Sequence, residues 1–304
     1  METIQLSNGV QMPKMGIGTD DVIYLWKKPT SKNRYVNKIL KIYNKYVWTP
    51  AREKEYADIL CAAFKMGYRL IDTSVSYRNE HIIGRAIKLS GIQREKFFIT
   101  TRIGNYQQYN HCVRESFMGS LQQLGVEYVD LLQFHWPVPE HYLDTWKELE
   151  KLYQEGYAKV IGTANCHAHH LQSILDVCEV APMVNEVEVH PLLTQKPLID
   201  FCQKHNIVVE AYTPLARNDH RMLRSRAVQA MMQKYNKTFL QIILRWHIQN
   251  GVVPIPRSTN LKRLKENISV FDFELTKEEM EAIDAININS RLRFDPDNCD
   301  FTQL

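Results

Sequence analysis

The strongest constraint on this chain is a regular alternation of short apolar runs with amphipathic helical segments, repeated roughly every 30 residues. The apolar runs are rich in β-branched and aromatic residues, as buried strands are. Eight of them are MGIGT (15–19), RLIDTS (69–74), FFITTRI (97–103), YVDLLQFH (128–135), AKVIGTAN (158–165), MVNEVEV (183–189), IVVEAYTP (207–214) and VVPIPRS (252–258). At 304 residues, eight such units predict an α/β protein with a (β/α)8 TIM barrel.

The remaining segments refine this expectation. The opening QLSNGVQMP predicts an N-terminal β-hairpin that turns at Asn8-Gly9. We expect two additional helices besides the eight that belong to the barrel. A doubly wound open sheet is the competing architecture, but MGIGTDD does not fit the GxGxxG turn expected after its first strand. We therefore expect one barrel domain over 1–304.

Composition narrows the cellular setting. The 6 cysteines are scattered without a CxxC pair, which favours a reduced, cytoplasmic location. The N-terminus lacks the basic start and apolar core of a secretory signal. No uninterrupted apolar run reaches about 18 residues, so we expect no membrane span.

Polar side chains stand at the carboxyl ends of the predicted strands, where barrels carry their catalytic groups. Asp72, Arg102 and His135 end three successive strands, and Tyr77 follows Asp72. A buried arginine requires a partner, and a cation held by a carboxylate can favour the ionised form of a nearby phenol. The four residues suit carbonyl reduction, in which hydride reaches carbon while tyrosine protonates oxygen. The alternative is an inert Asp72–Arg102 ion pair that only holds strands together.

Longer motifs carry a family resemblance over nearly the whole chain. They are LSNGVQMPKMGIGT, GYRLIDTSVSYRNEHIIGRAI, LGVEYVDLLQFHWP, VNEVEVHP, VVEAYTPLA and IPRSTNLKRLKEN. In these the chain resembles the aldo-keto reductases, which are NAD(P)H-dependent barrels. The resemblance implies a catalytic tetrad of Asp72, Tyr77 and His135 with a lysine, and Arg102 stands in the place of that lysine.

The resemblance also implies a cofactor site. Tyr212 would stack on the nicotinamide, and Asn165 would donate to its carboxamide. Ala164 and Glu186 replace a serine and a glutamine of the family pattern, and Glu186 would accept from the carboxamide nitrogen. The remaining implied cofactor residues are Thr19, Asp72 and Leu215, with Arg257, Ser258 and Arg263 for a 2′-phosphate and Glu266 and Asn267 for adenine. This set favours NADP(H). The implied substrate pocket contains Asp20, Trp136 and Cys299.

Residues 20–50 form a basic insertion in the first βα loop, longer than the family's usual loop by roughly twenty residues. Its stretch 22–48 carries seven cations and no acid, so from a total of +4 the rest of the chain is about −3. Three interpretations stay open. The insertion could be a lid that packs Trp26 or Trp48 over the substrate and whose lysines attract an anionic carbonyl compound. It could instead dock on a membrane or a nucleic acid, or it could be a neutral insertion.

The function implied by the resemblance is NADPH-dependent reduction of an aldehyde or ketone, slowed by Arg102. The alternative is an NADP(H)-binding pseudoenzyme or sensor with little turnover. We expect a small carbonyl substrate, no nucleic-acid partner and a monomer or weak oligomer. Although NCHAHH (165–170) resembles a metal motif, its spacing fits the start of a helix, and we expect no metal.

Overall fold

The computed structural model of this protein describes residues 2–20, 35–36 and 49–303. The basic insertion at 20–50, with the three interpretations of its role, therefore lies outside the described residues apart from five positions. These are Asp20, Tyr35, Val36, Thr49 and Pro50.

The chain begins with the predicted β-hairpin. Strand β1 (Thr3–Gln5) pairs antiparallel with β2 (Gln11–Pro13). Gly9 has a φ of 87°, a left-handed conformation that glycine adopts without steric cost. The Asn8 side chain donates to the carbonyl of Lys159 over 2.9 Å, and this bond ties the hairpin to the body of the protein.

Eight parallel strands follow in chain order around a nearly closed barrel, which confirms the predicted fold. They are β3 (Gly16–Gly18), β4 (Leu70–Asp72), β5 (Phe98–Ile103), β6 (Val129–Phe134), β7 (Ala158–Ala164), β8 (Val184–Glu188), β9 (Val208–Tyr212) and β10 (Val253–Pro254). The N–H of Gly18 donates to the carbonyl of Pro256 over 3.3 Å and joins the two ends of the sheet. A Cβ at Gly18 would lie 2.9 Å from the Ile255 carbonyl oxygen, so only glycine permits this approach.

Helices surround the barrel. They are α1 (Pro50–Met66), α2 (Glu80–Ser90), α3 (Asn105–Tyr109), α4 (Val113–Leu124), α5 (Tyr142–Gln154), α6 (Ala168–Leu175), α7 (Lys196–Lys204), α8 (His220–Leu223), α9 (Arg226–Tyr235), α10 (Phe239–Gln249), α11 (Leu261–Ile268) and α12 (Lys277–Asp284). The hydroxyl of Thr49 accepts from the N–H of Arg52 and caps α1. Within the described ranges, none of the helices combines the length and apolar character that a membrane span requires.

Local backbone geometry sets two of the element boundaries. Helix α4 begins only at Val113, because His111 takes a left-handed φ of 51° that separates α3 from α4. Strand β10 has only two residues, since Pro254 and Pro256 lack the N–H groups that extend a ladder.

Alternation along the strands decides which side chains enter the barrel. Asp72 pairs in register with Thr100, two positions before Arg102 on β5, and Glu186 on β8 pairs with Glu210 on β9. Positions that are paired, or two apart, share a face of the sheet. Charged side chains from four strands therefore project into the interior of the barrel near its carboxyl end.

Candidate active site

The structure brings together the four predicted catalytic side chains at one end of the barrel. Nη2 of Arg102 lies 2.7 Å from Oδ2 of Asp72 and 3.0 Å from the Tyr77 hydroxyl oxygen. The rings of Tyr77 and His135 meet edge to face with centroids 5.9 Å apart. Arg102 is 1% exposed, so this cation is held away from bulk water by its partners.

Local bonds explain why Tyr77 and Asp72 hold these positions. Tyr77 ends a 3-10 turn (Val75–Tyr77) whose first residue follows Ser74, and the Ser74 hydroxyl accepts from the N–H of Ser76 over 3.2 Å. Thr19, a predicted cofactor residue, is fully buried and donates through its hydroxyl to the Asp72 carbonyl over 2.8 Å. The ends of β3 and β4 are thereby fixed against each other beneath the site.

Glu186 has a partner that the sequence did not indicate. Nη1 of Arg102 donates to Oε2 of Glu186, and the two side chains are 1% and 3% exposed. The two ends of the guanidinium fork therefore contact different carboxylates. The predicted contact of Glu186 with a nicotinamide stays a prediction, and its carboxylate already belongs to a buried ion pair.

Sequence reasoning missed Glu210. It is fully buried, and neither carboxylate oxygen has a hydrogen-bond partner among the described residues. Carboxylate oxygens of Asp72, Glu186 and Glu210 lie within 4.8 Å of one another. The signal was present in IVVEAYTP, where a glutamate shares a strand face with Tyr212 two residues later.

Burial dominates the electrostatics of the site. Desolvation raises the pKa of Asp72 to about 6, although Arg102 opposes the rise. Burial and the nearby Asp72 raise the pKa of Glu210 well above its usual range. Burial also raises the pKa of Tyr77 despite Arg102, so the phenol keeps its proton at neutral pH. Burial and Arg102 lower the pKa of His135 far below 6.5, which leaves the imidazole neutral.

Two residues predicted to contact the nicotinamide bind each other. The Tyr212 hydroxyl donates to Oδ1 of Asn165 over 2.6 Å, and Nδ2 of Asn165 donates to the carbonyl of His135 over 2.9 Å. Asn165 takes a left-handed φ of 60°, which asparagine tolerates better than most residues. Leu215, also predicted here, is partly buried and packs on the core.

The predicted phosphate and adenine residues lie around the start of α11. Arg257 and Arg263 are exposed, and Oδ1 of Asn260 accepts from the Arg263 N–H and caps the helix. The predicted Ser258 donates through its hydroxyl to the Asn260 carbonyl over 3.4 Å. The other two predicted residues of this region are Glu266, which is half-buried, and Asn267, which is buried.

The three predicted pocket residues lie near the C-terminal tail. Trp136 packs edge to face on Phe301 with ring centroids 6.3 Å apart, and Cys299 packs on the same cluster. Asp20 forms an ion pair with Arg293 over 2.8 Å. Arg293 is a residue of the tail that sequence reasoning missed. The tail thus reaches both the first barrel loop and the aromatic side chain after β6.

The histidines of NCHAHH face the tail residue Asp297. Its carboxylate lies 2.7 Å from Nδ1 of His167 and 3.2 Å from Nε2 of His169. The other nitrogen of His167 contacts Arg291 over 3.2 Å, and Nδ1 of His170 accepts from the His167 N–H. These imidazoles therefore anchor the tail. The expectation of no metal stays a prediction.

Comparison with known proteins identifies the family. The model of the Aldo/keto reductase family matches residues 43–288. A 9,11-endoperoxide prostaglandin H2 reductase of Trypanosoma cruzi is 38% identical over 296 residues, which cover 97% of this chain and 95% of that protein. A glyoxal reductase of Bacillus subtilis is 40% identical over 296 residues, with coverages of 97% and 96%.

A solved structure agrees with these matches. The crystal structure of a Bombyx mori aldo-keto reductase in complex with NADP has 31% sequence identity and a TM-score of 0.82, covering 97% of this chain and 95% of that one. The family match spans more than half of the sequence and agrees with the barrel. The chain belongs to the aldo/keto reductase family.

Proposed function

We propose that this protein reduces small aldehydes or ketones to alcohols with NADPH as the reductant. Family membership supports this reaction class, as do the glyoxal reductase relative and the NADP complex of the Bombyx mori structure. The observation that carries the proposal is the bond from Arg102 to the Tyr77 oxygen beside a neutral imidazole. That arrangement supports Tyr77 as proton donor and His135 as the group that orients the carbonyl oxygen.

Arg102, Tyr77 and His135 have separate roles in the transfer of the proton. The guanidinium of Arg102 donates to the Tyr77 oxygen, so the phenolic hydrogen is directed elsewhere and can reach a carbonyl oxygen. The neutral His135 donates a hydrogen bond to that oxygen and orients it. When Tyr77 releases its proton, Arg102 stabilises the phenolate. Carbonyl, hydride and proton together give the alcohol, and solvent returns the proton to Tyr77.

Several side chains suit a bound NADPH, which would supply the hydride. Arg257 and Arg263 are exposed beside the start of α11, where a helix N-terminus and two cations favour a phosphate. Asn267 is 2% exposed, and its Oδ1 has no partner within the described residues, which suits a hydrogen-bonding adenine. Asn165 and Tyr212 would hold the nicotinamide end.

A turnover assay tests the proposal. Purified protein is mixed with NADPH and a panel of glyoxal, other small aldehydes, ketones and keto acids. Loss of the NADPH absorbance band with formation of the alcohol is the expected result. If no member of the panel is reduced, the proposed reaction is wrong for these substrates.

A second function is favoured by the ion pair of Arg102 and Glu186. Because Glu186 is already engaged, the nicotinamide would have fewer partners, and a protein that binds NADP(H) with little turnover would result. Quenching of tryptophan fluorescence by NADPH without alcohol formation would support that function. Turnover on the panel would contradict it.

A further inference from the structure

Two departures from the family pattern meet inside this barrel. Arg102 stands where the resemblance implies a lysine and Glu186 where it implies a glutamine, and the two side chains form a buried ion pair. An isolated buried charge is costly, whereas a paired and hydrogen-bonded one is tolerated. Each replacement therefore supplies the partner that the other requires.

The geometry distinguishes the two ends of the guanidinium. Nη1 contacts Glu186, while Nη2 contacts Asp72 at 2.7 Å and Tyr77 at 3.0 Å. A planar guanidinium that is held at both ends keeps one orientation, which the single ammonium of lysine cannot reproduce. We propose that Glu186 is a positioning residue that fixes Arg102 against Tyr77 and offsets the charge that Arg102 presents to the phenol.

Charge balance explains the second part of this role. The charges that act on the Tyr77 phenol are those of Arg102, Asp72, Asp20 and Arg293, and the ring of His135 packs edge to face on that of Tyr77. Glu186 itself faces Arg102, with Asp72 and Glu210 close by. One carboxylate would balance the guanidinium, and a second leaves an excess negative charge. That excess disfavours the phenolate and keeps the proton on Tyr77.

A double-mutant cycle tests the pairing. The four proteins are wild type, Glu186→Gln, Arg102→Lys and the double variant, and the measured quantity is the midpoint of thermal unfolding. Arg102→Lys alone leaves Glu186 without the guanidinium nitrogen that donates to it, so we expect a lower midpoint, by about 4 °C or more. Adding Glu186→Gln to Arg102→Lys should recover part of that loss. If Glu186→Gln lowers the midpoint equally with Arg102 and with Lys at 102, the pairing is overturned.

Titration of the phenol tests the charge effect without any need for turnover. Absorbance of the phenolate is followed against pH, and subtraction of the same variant carrying Tyr77→Phe isolates the single tyrosine. Because burial raises the pKa of Tyr77, the onset of phenolate absorbance is compared over the pH range in which circular dichroism reports a folded protein. We expect Glu186→Gln to move this onset down by about one pH unit or more. Identical difference curves for wild type and Glu186→Gln would overturn the charge effect.

Glu210→Gln is the matched control for this titration. It changes a neighbouring buried carboxylate that has no partner among the described residues. If that carboxyl group already holds a proton, its replacement should leave the Tyr77 curve in place. A shift as large as that of Glu186→Gln would show that any nearby carboxyl group suffices, and would remove the special role of Glu186.

The kinetic consequence rests on the proposed function. The pH at which reduction declines on the alkaline side should fall in Glu186→Gln, and the double variant should turn over faster than Arg102→Lys alone. Absence of turnover in all four proteins, with the unfolding and titration results intact, would contradict the proposed reaction and leave the positioning role standing.

Discussion

Nη2 of Arg102 donates to the hydroxyl oxygen of Tyr77 over 3.0 Å. The donor is a permanent cation, so it stabilises negative charge on the oxygen while leaving the phenolic hydrogen directed away from it. Burial acts in the opposite sense and raises the pKa of Tyr77. The phenol is therefore a proton donor that holds its proton until a carbonyl oxygen beside it gains charge.

Tyr77→Phe should remove this donor and little else. We expect the turnover number for glyoxal reduction to fall by about 100-fold or more, because phenylalanine keeps the ring but has no proton to give. NADPH affinity, measured by fluorescence quenching, should stay near that of the wild type. Retention of full turnover would show that another group protonates the substrate.

Glu210→Gln should change the pH dependence of stability. The folded-state pKa of Glu210 is raised by burial, so folding favours the protonated form. Its stabilising contribution is complete below the unfolded-state pKa of about 4.3 and declines as pH rises, by up to about 1.4 kcal/mol per unit. Glutamine removes this penalty.

Urea unfolding at several pH values checks this expectation. The variant should gain stability over wild type as pH rises from about 4 to 7, and the two should converge at the acidic end. Glu95→Gln, at an exposed position, serves as the control. A difference between Glu210→Gln and wild type that does not vary with pH would contradict a protonated Glu210.

Arg263→Ala should discriminate between the two nicotinamide cofactors. Its exposed side chain stands beside the capped start of α11, and a charge-assisted bond to a 2′-phosphate is worth about 1.5–3 kcal/mol. We expect the dissociation constant for NADPH to rise about 10-fold or more, with that for NADH unchanged. Lys147→Ala, on the exposed face of α5, is the control. Equal weakening of both cofactors would argue against a phosphate contact.

Asp297→Ala should release the tail from the histidines that hold it. The carboxylate contacts His167 and His169, and the tail carries Phe301 onto Trp136. Loss of about 1 kcal/mol of tail binding should raise the KM for a carbonyl substrate about 5-fold, with the dissociation constant for NADPH unaffected. Asp176→Ala, at the other end of α6, is the control. An unchanged KM would show that the tail does not shape the pocket.

The alternation of apolar runs with amphipathic helices was sufficient to predict the barrel, since strands and helices each have their own period and a barrel buries both. The same reasoning located Asp72, Arg102 and His135, because the carboxyl ends of parallel strands meet at one end of the barrel. The Asn8-Gly9 turn was also predicted from local sequence, because a turn depends on residues that are adjacent in the chain.

The partner of Glu186 inside the barrel was decided by the tertiary structure alone. Arg102 and Glu186 are 84 residues apart and lie on β5 and β8, which do not neighbour each other in the sheet. Their contact crosses the barrel interior, and alternation along a strand shows which face a glutamate shares but not which side chain it meets across the barrel. The contact of His167 with Asp297, which is 130 residues away in the sequence, also depends on long-range packing. So does the burial of Glu210. Long-range packing sets which charges meet, and burial then decides which of them keep a proton.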